Sequence, residues 1–287
     1  MDLMKLRLLG IRRKTEFSPN HVENDLLIIT RTAEHLAELG AEVRMIDEGD
    51  LGHTEVREKM IFSMVQGPTG TNRLREVVAE QDRLVINSPH SVLNCYRVNM
   101  VTRLPEREIP FPLSLIVNTS EDISPELKAQ LRGKLWVKRG DVHAVHREDV
   151  VSVNDISEAE MILREFRKRE ISTAILQRHI DGDTVKFYAV RESRFFHWYY
   201  LNGVYHTPFD EDQLHRLASA SAEALGLYVY GGDAIIERDG TITIIDINDW
   251  PSFAPVREQA SQEIAQLIVR KAREYSHARD LEPENAN

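Results

Sequence analysis

The chain predicts an α/β unit followed by an α+β unit, and three observations carry that prediction. Near its start, two short apolar runs flank one segment of helical periodicity. From residue 173 onward, strand-like stretches follow one another with few helical patterns between them. Residues 231–253, GGDAIIERDGTITIIDINDWPSF, read as a hairpin turning at Arg238-Asp239-Gly240.

The elements follow in order. Residues 6–11 form an apolar run, the mark of a buried strand. Asn20-x-x-Glu23 has the form of a capping box. Val22, Leu26, Ile29, Ala33 and Leu36 then recur at steps of four and three, which is one helix face. Gly40 supplies the stop, and residues 41–46 the next strand. Strand, helix and strand with a short return imply a parallel, right-handed crossover. Residues 61–65 and 84–87 add two strands, so residues 1–90 read as a small doubly wound unit. Residues 91–104 read as one helix leading out of it. Strands follow at 113–118, 135–139 and 150–153, with helices at 124–131 and 157–168. Strands at 174–180, 184–191 and 195–200 come next, then a helix at 211–225 and the hairpin. A final helix at 256–275 aligns Val256, Ala260, Ile264, Leu267 and Lys271 along one stripe.

Composition narrows the function. The chain has 287 residues, 42% apolar, with a net charge of −10. That charge excludes a general nucleic-acid or anionic-membrane surface, so any phosphate binding must come from a local cluster. Cys95 is the only cysteine, which rules out an intrachain disulfide and suits a reducing cytoplasm. Its expected place is a buried small hydrophobe. No apolar run approaches the ~20 residues of a membrane span, and charges within the first five residues give no sign of a signal peptide.

The chemistry concentrates at a few places. Asp233 opens the first strand of the hairpin; Asp246 and Asn248 close the second and share a strand face. Carboxylate and amide oxygens of this kind suit magnesium; the plainer reading is a turn-rich hairpin with an Asp-x-Asn exit cap. Lys138 ends a strand and meets Gly140, Asp141, His143 and His146. Such a lysine can reach a nucleotide phosphate as a point charge, with His143 a phosphate-side donor, or it can be a solvated strand end. Residues 177–182, QRHIDG, close a strand on a glycine turn and offer backbone groups to a base edge; a simple strand-to-turn junction is the alternative. Lys186 lies on the following strand. Arg12, Arg13 and Lys14 follow the first strand, and His21 stands at the next helix start. Ligands sit at carboxyl ends of parallel strands and helix N-termini favour anions, so this loop is the expected place of an anionic acceptor, unless it is a charged surface loop. Arg257 can pair with an acceptor carboxylate or phosphate, or be a helix-surface arginine.

The order of these residues, Lys138, 177–182, Lys186, Asp233, Asp246-x-Asn248, resembles the ATP-grasp superfamily over residues 91–276. The IDIN at 245–248 with Pro251 three residues on, and Lys138 with His143 five residues later, resemble the inositol-trisphosphate kinases. INSPHSVLNCYRV at 86–98 resembles glutathione-synthase-like enzymes and ribosomal-protein glutamate ligases, with Arg97 where a lysine is usual. The resemblance implies an ATP-grasp fold behind an N-terminal Rossmann-like domain: residues 1–90, then a central subdomain at 91–178 and a metal-bearing subdomain at 179–287. It also implies roles. Lys138 and Arg97 contact ATP phosphates, and Gln177, Arg178, His179 and Ile180 form the hinge strand beside adenine. Asp233, Asp246 and Asn248 hold one or two magnesium ions, with manganese a substitute. Lys186 faces nucleotide or acceptor, so Lys138, Lys186 and Arg257 are the expected catalytic side chains. Three departures stand out: Asp246 where many members have Glu, Ser252 in place of a glycine, and a short 140–148 loop.

The activity implied is an ATP- and magnesium-dependent carboxylate–amine ligase working through an acylphosphate on a small acidic substrate. A small-molecule kinase is the alternative, and a nucleotide-binding module without catalysis a third. The charge of −10 with one basic loop suits a polyphosphate acceptor poorly. The oligomeric state stays open, a homo-oligomer included.

Overall fold

The structure, a computed structural model, describes residues 6–18, 21–142 and 146–280, with the side chains of 279 and 280 left aside. Its first strand, β1 (Arg7–Arg12), is central in a parallel sheet of order β2-β1-β3-β4. β2 is Glu42–Asp47, β3 Met60–Ser63 and β4 Leu84–Ile86. Parallel strands covered on both faces read as unbroken apolar runs, as β1 and β3 do. Gly10 makes the packing around β1 tight: a Cβ there would lie 2.3 Å from Met45 Sδ and 2.5 Å from Phe62 Cζ.

Helix α1 (Val22–Glu38) joins β1 to β2 and buries Ile28, Ile29 and Leu36. Helix α2 (Pro68–Glu80) joins β3 to β4 and buries Leu74. The sequence reading did not include α2, although Pro68 at its first turn is a helix-start signal. The capping box assigned to α1 rests on Asn20, which lies outside the described residues; the helix is capped at His21 without a side-chain bond.

The expected helix at 91–104 is two helices, α3 (Pro89–Asn94) and α4 (Arg97–Glu106). The chain turns extended at Tyr96 because its ring is buried and its hydroxyl donates to the Gln66 carbonyl at 2.8 Å. Asn99 Nδ2 caps the interrupted turn through the Leu93 carbonyl at 2.8 Å. Neither Gly nor Pro marks the break, so local sequence gave no warning.

A second, antiparallel sheet has the order β5-β8-β6-β7: β5 Ser114–Asn118, β6 Leu135–Arg139, β7 Val150–Val153 and β8 Thr173–Arg178. One face packs under α5 (Pro125–Gln130) and α6 (Ile156–Lys168) through Leu135, Val137, Leu163, Phe166 and Leu176. Strand alternation therefore turns Trp136, Lys138, Ile175 and Gln177 to the opposite face.

The third sheet runs β10-β9-β11-β12: β9 Asp183–Val190, β10 Phe196–Asn202, β11 Val229–Ile236 and β12 Ile242–Asp249. Helix α7 (Glu211–Leu225), N-capped by Asp210 and ended by left-handed Gly226, covers one face with α4. The last helix, α8 (Arg257–Asp280), turns back and packs Ile264, Leu267 and Ile268 into the core that holds α1 and Phe62. The α/β unit followed by α+β elements is as expected, and Cys95 is fully buried.

Candidate functional site

The site is built on the face of the third sheet turned away from α7. Asp233 on β11 pairs in register with Lys186 on one side and Asp246 on the other. Directly opposed residues stand about 5 Å apart at Cβ, so three charged groups share one face. A bulge makes this compatible with the core. The register shifts after Asp233, leaving Ile245 unpaired. Ile244 and Ile247 then both reach the α7 side, while Asp246 and Asn248 face out. The hairpin turn is as read: Gly240 has φ +86°, and Thr241 N–H donates to Asp239 Oδ1 at 2.9 Å.

A cavity of about 490 Å³ gathers Asp233, Asp246, Asn248, Lys186 and Arg97 with Arg13 and His21. Lys186 Nζ donates to Asp233 Oδ1 at 3.0 Å. Burial pulls the Lys186 ammonium down, but the Asp233 charge and hydrogen bond prevail and hold it above its ordinary value. Burial raises the Asp233 carboxyl against the pull of Lys186. Arg97 Nη2 lies 3.8 Å from Asp246 Oδ2, and its buried Nε has no hydrogen-bond partner among the described residues. Lys138 looks at this acidic face from the second sheet. Burial drops its ammonium to about 8, while Asp246 raises it and Arg97 lowers it further. Among the described residues, no group of three or more His, Cys, Asp or Glu could hold a metal. The donor set is instead two carboxylates and an amide. These oxygens fit magnesium, which keeps waters and takes substrate phosphate oxygens to complete its shell.

A second cavity, about 500 Å³, lies at the other end of the same sheet face. It is lined by Arg178, His179, Ile180 and Asp181 of the link between β8 and β9, by Phe111 and Leu113, and by Thr243 and Glu237. Thr243 pairs with Ile235, two residues from Asp233, so it shares the face of the carboxylates. From Asp233 to Glu237 is four residues, or ~14 Å of strand. Gln177 is buried on the cleft face and donates to Ser114 Oγ at 3.0 Å. His179 is fixed: Trp136 Nε1 donates to its Nδ1 at 3.0 Å, so its Nε2 carries the proton donated to Asp181 Oδ1 at 3.0 Å. His143 lies outside the described residues.

The basic loop Arg12, Arg13 and Lys14 lines a cavity of about 400 Å³, and its cations are paired within the protein. Arg12 pairs with Asp47 at 3.2 Å and Lys14 with Glu16 at 2.8 Å. Arg13 is buried and donates to Asp25 Oδ2 at 2.8 Å and to the carbonyls of Met64, Asp249 and Trp250 at 3.0–3.2 Å. It staples the first sheet to the end of β12, and its charge is matched by Asp25. Arg257 likewise binds Asn24 Oδ1 at 2.5 Å, joining α8 to α1, and is not among the cavity residues; no catalytic placement follows. His21 lines the cavity.

Sequence reasoning missed four residues here. Asn87 is fully buried and saturated: its Nδ2 donates to the Val229 carbonyl and to Asp249 Oδ1, and its Oδ1 accepts from the Tyr228 and Val229 amides. Asp249 is thereby locked between β4 and β11, and burial lifts its carboxyl to about 7. No local signal links positions 162 residues apart. Tyr188 and Tyr199 also line the cavity; Tyr188 was findable, standing two residues from Lys186 on one strand. Beyond Asp249 the chain is held by Trp250 and Phe253, both fully buried at φ +40° and +49°. Burial of the two rings offsets the backbone cost.

No protein-family model matches the chain, and no curated protein matches it. Solved structures do. The D-alanine–D-alanine ligase of Coxiella burnetii matches with a TM-score of 0.72 at 14% identity, over 96% of this chain and 98% of that one. The D-alanine–D-alanine ligase of Bacillus anthracis complexed with ATP gives 0.70 at 13%, over 94% and 99%. A RimK domain ATP-grasp protein of Sphaerobacter thermophilus gives 0.67 at 18%, over 92% and 99%. The chain has the ATP-grasp fold.

Proposed function

We propose that this protein is an ATP-dependent carboxylate–amine ligase that works through an acylphosphate. One observation carries the reading: two cations, Lys138 on the second sheet and Arg97 at the start of α4, look onto an acidic sheet face with Asp233, Asp246 and Asn248. The hinge cavity lies ~14 Å of strand away, about the reach of a nucleoside triphosphate. The base occupies the hinge cavity against Ile180 and Phe111. The triphosphate runs along β11 toward Asp233. Lys138 and Arg97 meet the charge that grows on the transferring phosphoryl, the main contribution a protein makes to such a step. Lys186, held by Asp233 at the mouth of the 490 Å³ cavity, orients the acid whose carboxylate oxygen takes the γ-phosphoryl. The amine then attacks the carbonyl carbon and phosphate leaves. A magnesium ion held by Asp233, Asp246 and Asn248 would neutralise phosphate charge. The ligases among the matching structures support this reading.

Kinase action on a polyphosphate is the second reading, and the pairing of Arg12, Arg13 and Lys14 with carboxylates weighs against it. Incubation with Mg-ATP and candidate acids, with and without an amine pool, separates the two. ADP release that needs both acid and amine supports the ligase. ADP release with a stable phosphorylated alcohol, and no amine dependence, rejects it.

A further inference from the structure

We infer that the acid taken by this cleft is a monocarboxylate with an apolar, ring-sized body; the inference rests on the ligase reading above. The β9–β10 wall of the cavity is where that body would lie. Tyr199 pairs in register with Lys186, and Tyr188 follows Lys186 by two, so both rings stand on the cavity face beside the cation. The pair is closely set, with ring centroids 6.2 Å apart and hydroxyls 3.5 Å apart. The register shifts between Tyr200 and Asn202, and Leu201 at that bulge joins the lining although it is 50% exposed. Phe17 and Pro251 face the same space. An apolar side chain left half in water at the mouth of a cavity gains by covering, in proportion to the area a ligand removes from water. Aromatic walls add edge and face contacts with a ring.

Charge points the same way. Of the cations on the lining, Arg13 is matched by Asp25 at 2.8 Å and Lys186 by Asp233 at 3.0 Å, and Arg97, 3.8 Å from Asp246, is the one left to meet a substrate carboxylate. His21 is the further titratable base on the lining. A second carboxylate or a phosphate on the substrate body would be desolvated against tyrosine and leucine without a free counter-charge, which is costly. One carboxylate can reach Lys186 and Arg97; the remainder of the molecule meets an apolar surface. The cavity, about 490 Å³, lies within the ~300–1,000 Å³ usual for small-molecule clefts.

The test is calorimetric titration with 3-phenylpropanoate, propanoate and glutarate, each with and without magnesium and a non-hydrolysable ATP analogue. We expect 3-phenylpropanoate to bind at least ~10-fold more tightly than either other acid, as a filled apolar pocket discriminates. Leu201→Asn, at a half-exposed side chain that the fold does not need, and Tyr199→Ala should each weaken 3-phenylpropanoate ~10-fold and leave glutarate unchanged. Tyr199→Phe should retain the preference. Preference for glutarate, equal binding of all three, no binding of 3-phenylpropanoate, or variants that weaken every acid alike would overturn the inference. The nucleotide analogue titrated alone reports on the ligase reading separately. If it fails to bind, that reading falls, and the acid series without nucleotide still decides the character of the wall. If it binds while glutarate is preferred, only the present inference falls.

Discussion

Lys138 is the residue on which the nucleotide reading turns. A buried ammonium held down to about 8 by its surroundings, facing two carboxylates, is poised for an anion brought between them. Lys138→Ala should lower kcat/KM for ATP by the equivalent of ~2–4 kcal/mol, the size of losing one preorganised donor, and Lys138→Arg should recover little, because a planar fork does not fit where a compact ammonium sat. Steady-state kinetics with excess magnesium measure it, and unchanged turnover would remove the cleft's central cation from the mechanism. Asp249 gives a prediction of another kind. Its folded-state carboxyl is raised from 3.8 to about 7 by burial, against the pull of Asn87 and Arg13. A raised carboxyl stabilises the fold below its unfolded value and loses that contribution as pH climbs through the folded value. The ligand-free protein should therefore weaken between about pH 4 and pH 7 on this group's account. Asp249→Asn keeps an acceptor for Asn87 and should exceed the parent by on the order of 3 kcal/mol at pH 8, but not at pH 4.5. Urea denaturation at the two pH values checks this; parallel changes in both proteins would contradict it.

At the scale of elements, the junction of the first sheet with the end of β12 is held by Asn87 and by Arg13, and Arg13 also makes a buried ion pair. Arg13 and Asp25 side chains are 7% and 6% exposed, and Ser18 Oγ donates to the same carboxylate oxygen at 2.7 Å. Removing one partner of such a pair strands the other charge. Arg13→Met should cost ~3–5 kcal/mol of stability, and adding Asp25→Leu should recover part of it. Thermal and denaturant melts of both variants test this. A stable Arg13→Met protein with a raised KM for the acid would instead restore the acceptor role that the sequence reading gave this loop. The bulge at Ile245 belongs to the same scale. A flat β12 could not send both Ile244 and Ile247 to the α7 core and still present Asp246.

For the whole molecule, ligand binding between two sheets should register as stability. A magnesium–nucleotide complex that binds only the folded state adds about 2.7 kcal/mol at one hundred times its dissociation constant. The melting temperature should rise with magnesium and the ATP analogue together, return toward the ligand-free value with EDTA, and stay low in Asp246→Asn. An equal rise in the presence of EDTA would argue against a metal at Asp233, Asp246 and Asn248. The described residues contain no helix long and apolar enough to cross a membrane.

Apart from α2 and the break between α3 and α4, the order of elements was legible from the chain alone, as were the helix at Glu211–Leu225, the strand at Leu135–Arg139 and the Arg238–Gly240 turn, because periodicity, caps and turn residues are local physics. So was the alignment of Asp246 with Asn248, since a strand repeats every two residues. The chain alone could not reveal that Arg13 is bound by Asp25 and three distant carbonyls, or that Arg257 is tied to Asn24. Nor could it reveal that Asn87 locks Asp249, or that Tyr96 breaks a helix by burying its ring. A side chain's chemistry is fixed by its type, but whether its charge is free or already matched depends on partners up to 237 residues away, and only folding brings those together.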